Sequence, residues 1–197
     1  MGYFPFFMDI EGKKGLIVGG GMIALRKAEK LLPFGPDITV AAPDILRSLA
    51  ALPGLTVLER PFDPSMLEGV CFAIAATDDH NVNRAVSTLC QERDIPVNVV
   101  DDPDACTFLF PALVKDGPLC VGVCTEGASP TAAAWLRGEI EGLLPENIAD
   151  ILEYLRAVRP SVKKDRVGTM KKLLAACLQT GRPLNKVELD AILEEGE

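Results

Sequence analysis

The chain alternates short apolar blocks with amphipathic stretches, and over the first half the two periods separate cleanly. Leu16 to Val18 is a continuous apolar run, and Asp37 to Ala42, Leu55 to Glu59, Val70 to Ala76 and Pro96 to Val100 are four more stretches of strand composition. Apolar runs this short, with little polar alternation, predict strands covered on both faces, as in a parallel sheet. Between them apolar residues recur at helical spacing: Ala24, Ala28, Leu31 and Leu32, then Val82, Ala85, Val86, Leu89 and Cys90. The spacing predicts one helix running to about Phe34 and another over 81–93, with a short helix over Asp44 to Leu52 and a brief connection at Asp63 to Leu67. Residues 1–14, aromatic and then polar, read as an edge segment leading into the first strand. The β-α-β alternation implies a parallel α/β sheet with right-handed crossovers, a Rossmann-type domain over residues 1–110.

The pattern changes after residue 110. Thr107 to Val114 and Leu119 to Cys124 read as two strands joined by the turn sequence Lys115-Asp116-Gly117-Pro118. Ser129-Pro130 supplies an N-cap and a proline at the first helical position, so 130–144 is expected to be helix. Three further helices are marked by Ile148, Ile151, Leu152 and Leu155, by Val167, Met170, Leu173, Leu174 and Cys177, and by Asn185 with Glu188 as a capping box. The expected organisation is therefore a Rossmann domain at 1–110, a small α+β segment at 111–145 and a helical region at 146–197.

Composition narrows the function class. No apolar run approaches the ~18 residues of a membrane span, and no signal peptide opens the chain, so it reads as cytoplasmic. A formal charge of −8 argues against nonspecific nucleic-acid binding. The six cysteines, Cys71, Cys90, Cys106, Cys120, Cys124 and Cys177, form no CxxC pair and read as reduced thiols rather than a metal site.

The chemistry begins at Gly15 to Lys27, GLIVGGGMIALRK. Gly19-x-Gly21-x-x-Ala24 directly after a strand and at the start of a helix is the dinucleotide fingerprint in its Ala-terminated form. Gly19 permits the tight turn, Gly21 lets backbone approach a pyrophosphate, and Ala24 lets the helix pack on the strand. The usual acidic residue at the end of strand two is missing there, but Asp44 lies just beyond Pro43, and Arg47 leaves both NAD and NADP open, with NAD preferred. Thr77 and Asp78 follow the fourth strand, on the edge where open α/β sheets bind ligands. Asp101 ends the fifth strand in NVVDDP; either it acts in the crevice as a base or cation ligand, or it caps a turn before Pro103. Cys124 to Pro130 is a strand-to-helix loop whose hydroxyls, Thr125 and Ser129, either meet an anion or only close the turn. His80, the single histidine, is a solvated loop residue or a catalytic group, and Lys163, Lys164, Arg166, Lys171 and Lys172 form a solvated helix face or a basic wall.

Taken in order, GLIVGGGMIALRKAEKLL, AIAATDDHNVN with NVVDDPDACTFLFPALV, and SPTAAAWLRGEIEGLLP resemble the precorrin-2 dehydrogenase family of sirohaem biosynthesis, over roughly residues 1–145. The resemblance implies NAD-dependent oxidation of precorrin-2 to sirohydrochlorin, insertion of ferrous iron in some members, and a homodimer built through the segment after the Rossmann domain. By position it implies NAD contacts at Met22, Ile23, Pro43 and Asp44, a cofactor edge at Thr77 and Asp78, and a catalytic role for Asp101. The family's Ser-Ser-Gly-Gly loop is here Cys124-Thr125-Glu126-Gly127, which adds a negative charge.

On this reading the glycine turn holds NAD and a polycarboxylate tetrapyrrole lies across the crevice between the two halves. Asp101 assists proton loss while Arg137 and the basic cluster offset ligand charge. No dedicated metal site is expected. The alternative is a non-catalytic NAD-sensing module. A short-chain dehydrogenase is disfavoured, because Tyr154 is followed at the fourth position by Val158 rather than lysine.

Overall fold

A computed structural model describes residues 2–163 and 165–194. The chain divides into two compact units, residues 1–110 and 111–197. The first is built on five parallel strands, β1 (Lys14–Val18), β2 (Asp37–Ala41), β3 (Leu55–Leu58), β4 (Phe72–Ala75) and β5 (Val97–Val99), in the order β3-β2-β1-β4-β5. The order reverses between β1 and β4, which places a switch point there.

Alternate residues of the strands feed two separate cores. Leu16, Val18, Ala73, Ala75, Val97 and Val99 pack with Val86 and Cys90 of α3 (His80–Gln91), whereas Ile17, Ile38, Val40 and Ile74 pack with Ala24, Leu25 and Ala28 of α1 (Met22–Leu31). This double coverage is why the strands read as apolar runs; all four residues of β4 are buried. Expected and observed helices agree at α1 and α3.

Three local expectations need correction, and the brief connection at 63–67 gains detail. Residues 2–10 form no strand, and Phe4, Phe6 and Phe7 are exposed rather than packed on a sheet edge. The 44–52 helix shrinks to α2 (Arg47–Ala50), because the chain at Asp44 to Leu46 is held against the glycine turn: the Leu46 N–H donates to the Gly20 carbonyl at 2.9 Å. The connection at 63–67 is a 3-10 turn, Pro64–Leu67, capped by Asp63. Thr107 to Pro111 is not strand, because Thr107 bonds back to β5, its N–H donating to the Val97 carbonyl at 2.8 Å.

In the second unit β6 (Ala112–Asp116) and β7 (Leu119–Val123) pair antiparallel about Gly117-Pro118, a tighter turn than the four residues expected. Gly117 sits at φ +50, where a Cβ would also collide with Ala149. The helix α4 (Pro130–Leu143) packs on this hairpin. A separate core of Ile151, Leu155, Val158, Leu173, Cys177 and Leu184 joins α5 (Ile148–Val158), α6 (Arg166–Thr180) and the chain leading into α7 (Lys186–Glu194). The Asn185–Glu188 capping box forms reciprocally, each side chain accepting from the other's backbone N–H at 3.0 and 2.8 Å. Among the described residues no helix is long and apolar enough to cross a membrane. All six cysteines are unbridged.

Candidate active site

The glycine turn makes three different demands on its residues. Gly19 has φ +130, and a Cβ there would collide with the Ala76 carbonyl at the end of β4. At Gly20 a Cβ would collide with the Asp44 carbonyl. Gly21, by contrast, has ordinary φ −88, and a Cβ would meet no atom within 4 Å. Packing explains the first two glycines; the third stands in open space at the position where the fingerprint brings backbone close to a pyrophosphate.

Gly21 is also the N-cap of α1 and supplies no side-chain hydrogen bond, and the first turn of α1 carries no acidic residue. The helix's first N–H groups, at Met22, Ile23 and Ala24, therefore lack a capping partner and sum with the helix dipole into an anion site. Ala24 is fully buried, as close packing on β1 requires, whereas Met22 and Ile23 are exposed at the rim.

The neighbouring strand ends assemble around this turn. Val18 of β1 is level with Ala41 of β2 and Ala75 of β4, and Ala75 with Val99 of β5. Beyond β2, Pro43 and Asp44 are exposed, with the Asp44 backbone against Gly20. Beyond β4, Thr77 is clasped by Asn83, and Asp79 caps α3 by accepting from the N–H of Asn81 at 2.8 Å. Asp78 and His80 are exposed.

Beyond β5, Asp101 is exposed and left-handed at φ +59, a conformation that aspartate tolerates better than most residues. Val18 and Val99 are both level with Ala75, so Asp101 stands two residues past a strand end that lies about 10 Å from the end of β1, two strand spacings of ~4.8 Å. Its neighbour Asp102 pairs with Arg84 of α3 at 3.6 Å.

In the second unit the loop hydroxyls are engaged locally. The Ser129 N–H donates to Thr125 Oγ1 at 3.2 Å, Thr125 Oγ1 donates to the Ser129 carbonyl at 3.1 Å, and Ser129 Oγ caps α4 through the Ala132 N–H. Arg137 pairs with Glu141 one turn on, at 2.6 Å. Glu126 is exposed at φ +51. In the basic run Lys163, Arg166, Lys171 and Lys172 are exposed, and Lys164 lies outside the described residues.

The sequence reading passed over the residues that hold the edge together. Asn83 and Ser87 are buried on α3 and Asn98 on β5. The Ser87 hydroxyl donates to the Ala105 carbonyl at 2.7 Å and the Asn98 amide to the Phe108 carbonyl at 3.0 Å. A signal existed: Asn83 and Ser87 share the face of Val86 and Cys90, and Asn98 interrupts an apolar strand. Burial pushes the thiol of Cys106 up, although it accepts a hydrogen bond from the Val99 N–H at 3.1 Å. Lys27 is held down at about 8, chiefly by burial and secondarily by Lys30, with Cys106 opposing.

The family described as "Putative NAD(P)-binding" matches residues 6–112, more than half of the chain and almost the whole of the first unit. The chain belongs to this NAD(P)-binding family. Its relatives include siroheme synthases from Nitrosomonas europaea, 41% identical over 83% of this chain, and from Pseudomonas entomophila, 42% identical over 83%. The chain spans about a third of the length of these relatives, 35% and 36%. A solved structure titled "SirC, precorrin-2 dehydrogenase" matches along the whole length, covering 98% of both chains at 25% identity with a TM-score of 0.72. The resemblance to the precorrin-2 dehydrogenase family is borne out by these matches, as is the α/β Rossmann fold with a nicotinamide dinucleotide, NAD(P), as cofactor. For a member of this NAD(P)-binding family, the bare Gly21 amide environment fits the diphosphate that the fingerprint implies.

Proposed function

We propose that this protein oxidises precorrin-2 to sirohydrochlorin with NAD+. The observation that carries the reading is the shared edge: Asp101 and the unshielded amides of Gly21 to Ala24 lie at the carboxyl ends of β5 and β1, with only β4 between them. The full-length likeness to SirC supports it. Gly19 and Gly20 fix the turn, and the N–H groups of α1 hold the diphosphate. Met22 and Ile23 flank it, Pro43 and Asp44 approach the adenosine side, and Thr77 and Asp78 line the β4 end. Bound NAD+ supplies a two-electron acceptor for hydride. Asp101 would take the proton that leaves the substrate, the balance being one hydride for the bound cofactor to accept and one proton for the carboxylate. The protein's contribution is mainly alignment, since hydride transfer requires donor and acceptor in contact.

Thr125, Ser129 and Arg137 are assigned to the substrate's carboxylates. Of these, Arg137 already holds Glu141 through Nη1 and would meet a ligand with its remaining N–H groups or by exchanging that partner. Exposed apolar residues on α4, Trp135 and Leu143, support a homodimer formed through the second unit. Whether ferrous iron is also a substrate is left to the assay, and Asp101 would then be the base for the pyrrole protons.

Purified protein is mixed with precorrin-2 and NAD+ and followed at the NADH band, then given Fe2+. The expected result is NADH formation that Asp101→Asn slows by about 10²-fold or more, with dinucleotide affinity retained. Wild-type rates in Asp101→Asn remove Asp101 from the mechanism, and absence of NADH with wild-type protein removes the oxidoreductase reading. Sedimentation at equilibrium tests the dimer.

A further inference from the structure

The loop from Val100 to Phe110 carries Asp101 and turns back along the open side of β5 without becoming a strand. Side chains take over the pairing: the Val97 N–H donates to Thr107 Oγ1 at 2.7 Å and the Val99 N–H to Cys106 Sγ at 3.1 Å. From α3, Ser87 holds the Ala105 carbonyl at 2.7 Å and Arg84 holds Asp102. From β5, Asn98 Nδ2 holds the Phe108 carbonyl at 3.0 Å and lies 3.5 Å from Cys106 Sγ.

Lys27 completes this set from α1, on the opposite side of the sheet from α3. Its Nζ donates to Asn98 Oδ1 at 3.3 Å and sits 3.7 Å from the centroid of the Phe110 ring. One ammonium thus touches the middle residue of β5, from which the loop departs, and the residue that ends the loop. It also fixes the Asn98 amide: reversing that amide would aim its NH2 at a cation and its oxygen at the Phe108 carbonyl. Without Lys27, Oδ1 of a side chain only 6% exposed would lose its partner.

We propose that Lys27 is a positioning residue for Asp101, acting through the Asn98 amide and the Phe110 ring to hold the 100–110 loop in the conformation that presents the Asp101 carboxylate at the sheet edge. The inference rests on the oxidoreductase reading for its consequence in turnover, but not for the contact itself. Burial disfavours the charged lysine, which brings its value down to about 8, so the cation is kept there against its own solvation.

The test compares Lys27→Met, which keeps the length of the side chain, with Lys27→Arg, which keeps the charge and the ring contact. Amide hydrogen exchange is read over 98–110, with residues 14–20 as an internal reference, and steady-state turnover is measured alongside. The expectation for Lys27→Met is exchange about tenfold faster over 98–110 with 14–20 unchanged, kcat lower by about tenfold or more, and KM for NAD+ within about twofold of wild type. Lys27→Arg should recover most of both losses. Wild-type exchange in Lys27→Met overturns the inference whatever the enzyme does, and faster exchange with unchanged kcat overturns the positioning of Asp101. If the wild type shows no turnover, the oxidoreductase reading fails instead, and exchange alone still decides whether Lys27 holds the loop.

Discussion

Asn83 clasps Thr77 from both sides: its Oδ1 lies 3.1 Å from the Thr77 N–H and 2.7 Å from the hydroxyl, and its Nδ2 donates to the Thr77 carbonyl at 2.9 Å. A buried amide on α3 therefore satisfies a stretch of backbone that has just left β4 and has no strand to pair with. Removing it strands those groups in a poorly hydrated place. Asn83→Ala should lower stability by about 1–3 kcal/mol and raise KM for the dinucleotide, because the β4 end would no longer be held. Denaturant unfolding and NAD+ titration of the same variant check both halves, and an unchanged KM would limit Asn83 to stability.

The glycines separate packing from binding. Gly19→Ala places a side chain at φ +130 and against the Ala76 carbonyl, so it should destabilise the first unit by several kcal/mol, roughly 3 or more. Gly21→Ala enters an allowed conformation and open space and loses only the N-cap preference of glycine over alanine, so stability should fall by no more than about 1 kcal/mol. Its dinucleotide affinity should nonetheless fall by about tenfold or more, since the new methyl occupies the approach to the α1 amides. Calorimetric titration together with urea unfolding distinguishes the pair; equal NAD+ binding by Gly21→Ala and wild type would take the diphosphate away from this turn.

Much of the sheet was legible because its strands are sealed on both faces: a run such as VCFAIAA has no solvated side to show. The glycine fingerprint was legible for a different reason, since backbone strain and close approach leave few residue choices. Thr107 to Pro111 misled because its composition suits a strand, while its hydrogen bonds go to β5 through Thr107. The supports of the edge were least visible. Asn83, Ser87 and Asn98 act by closing loops distant in sequence, which no local period encodes. The hydroxyls of Thr125 and Ser129 were located correctly as a loop-to-helix junction, but only the structure reveals that the Thr125 hydroxyl bonds both backbone groups of Ser129 while the Ser129 hydroxyl caps α4 at Ala132.

Acid should loosen the C-terminal helices first at α7. Glu188 is brought down to about 2, foremost by its hydrogen bonds from Arg182 and then by the Asn185 N–H. A carboxyl depressed in the folded state contributes stability that is complete above its ordinary value of 4.5 and is lost as pH falls toward 2. Wild type should therefore lose protection of the α7 amides across that window, and Glu188→Gln should lack the dependence. Amide exchange by NMR at pH 5 and pH 3 reads the difference, and identical profiles for both proteins would assign the acid response to other carboxylates.

Lys27 carries a linkage of the same sign, in an alkaline window and from the opposite cause, since here the charged form is the one the folded state disfavours. Its value falls from 10.5 to about 8, with burial the main cause, so the unfolded chain holds a proton that the folded chain releases between those two values. Below pH 8 the lysine is charged in both states and its cost to folding is constant and complete. From pH 8 to 10.5 the unfolded state binds more protons, so stability rises with pH by this group's contribution. The pH range is awkward for a single protein, because tyrosines, cysteines and other lysines also titrate there. A difference measurement cancels them: the unfolding free energy of wild type minus that of Lys27→Met should be flat from pH 6.5 to about 7.5 and then climb through pH 9.5. A difference that stays level throughout would mean that the ammonium is solvated like a surface lysine, and the contact with Asn98 would then be too loose to hold the Asp101 loop.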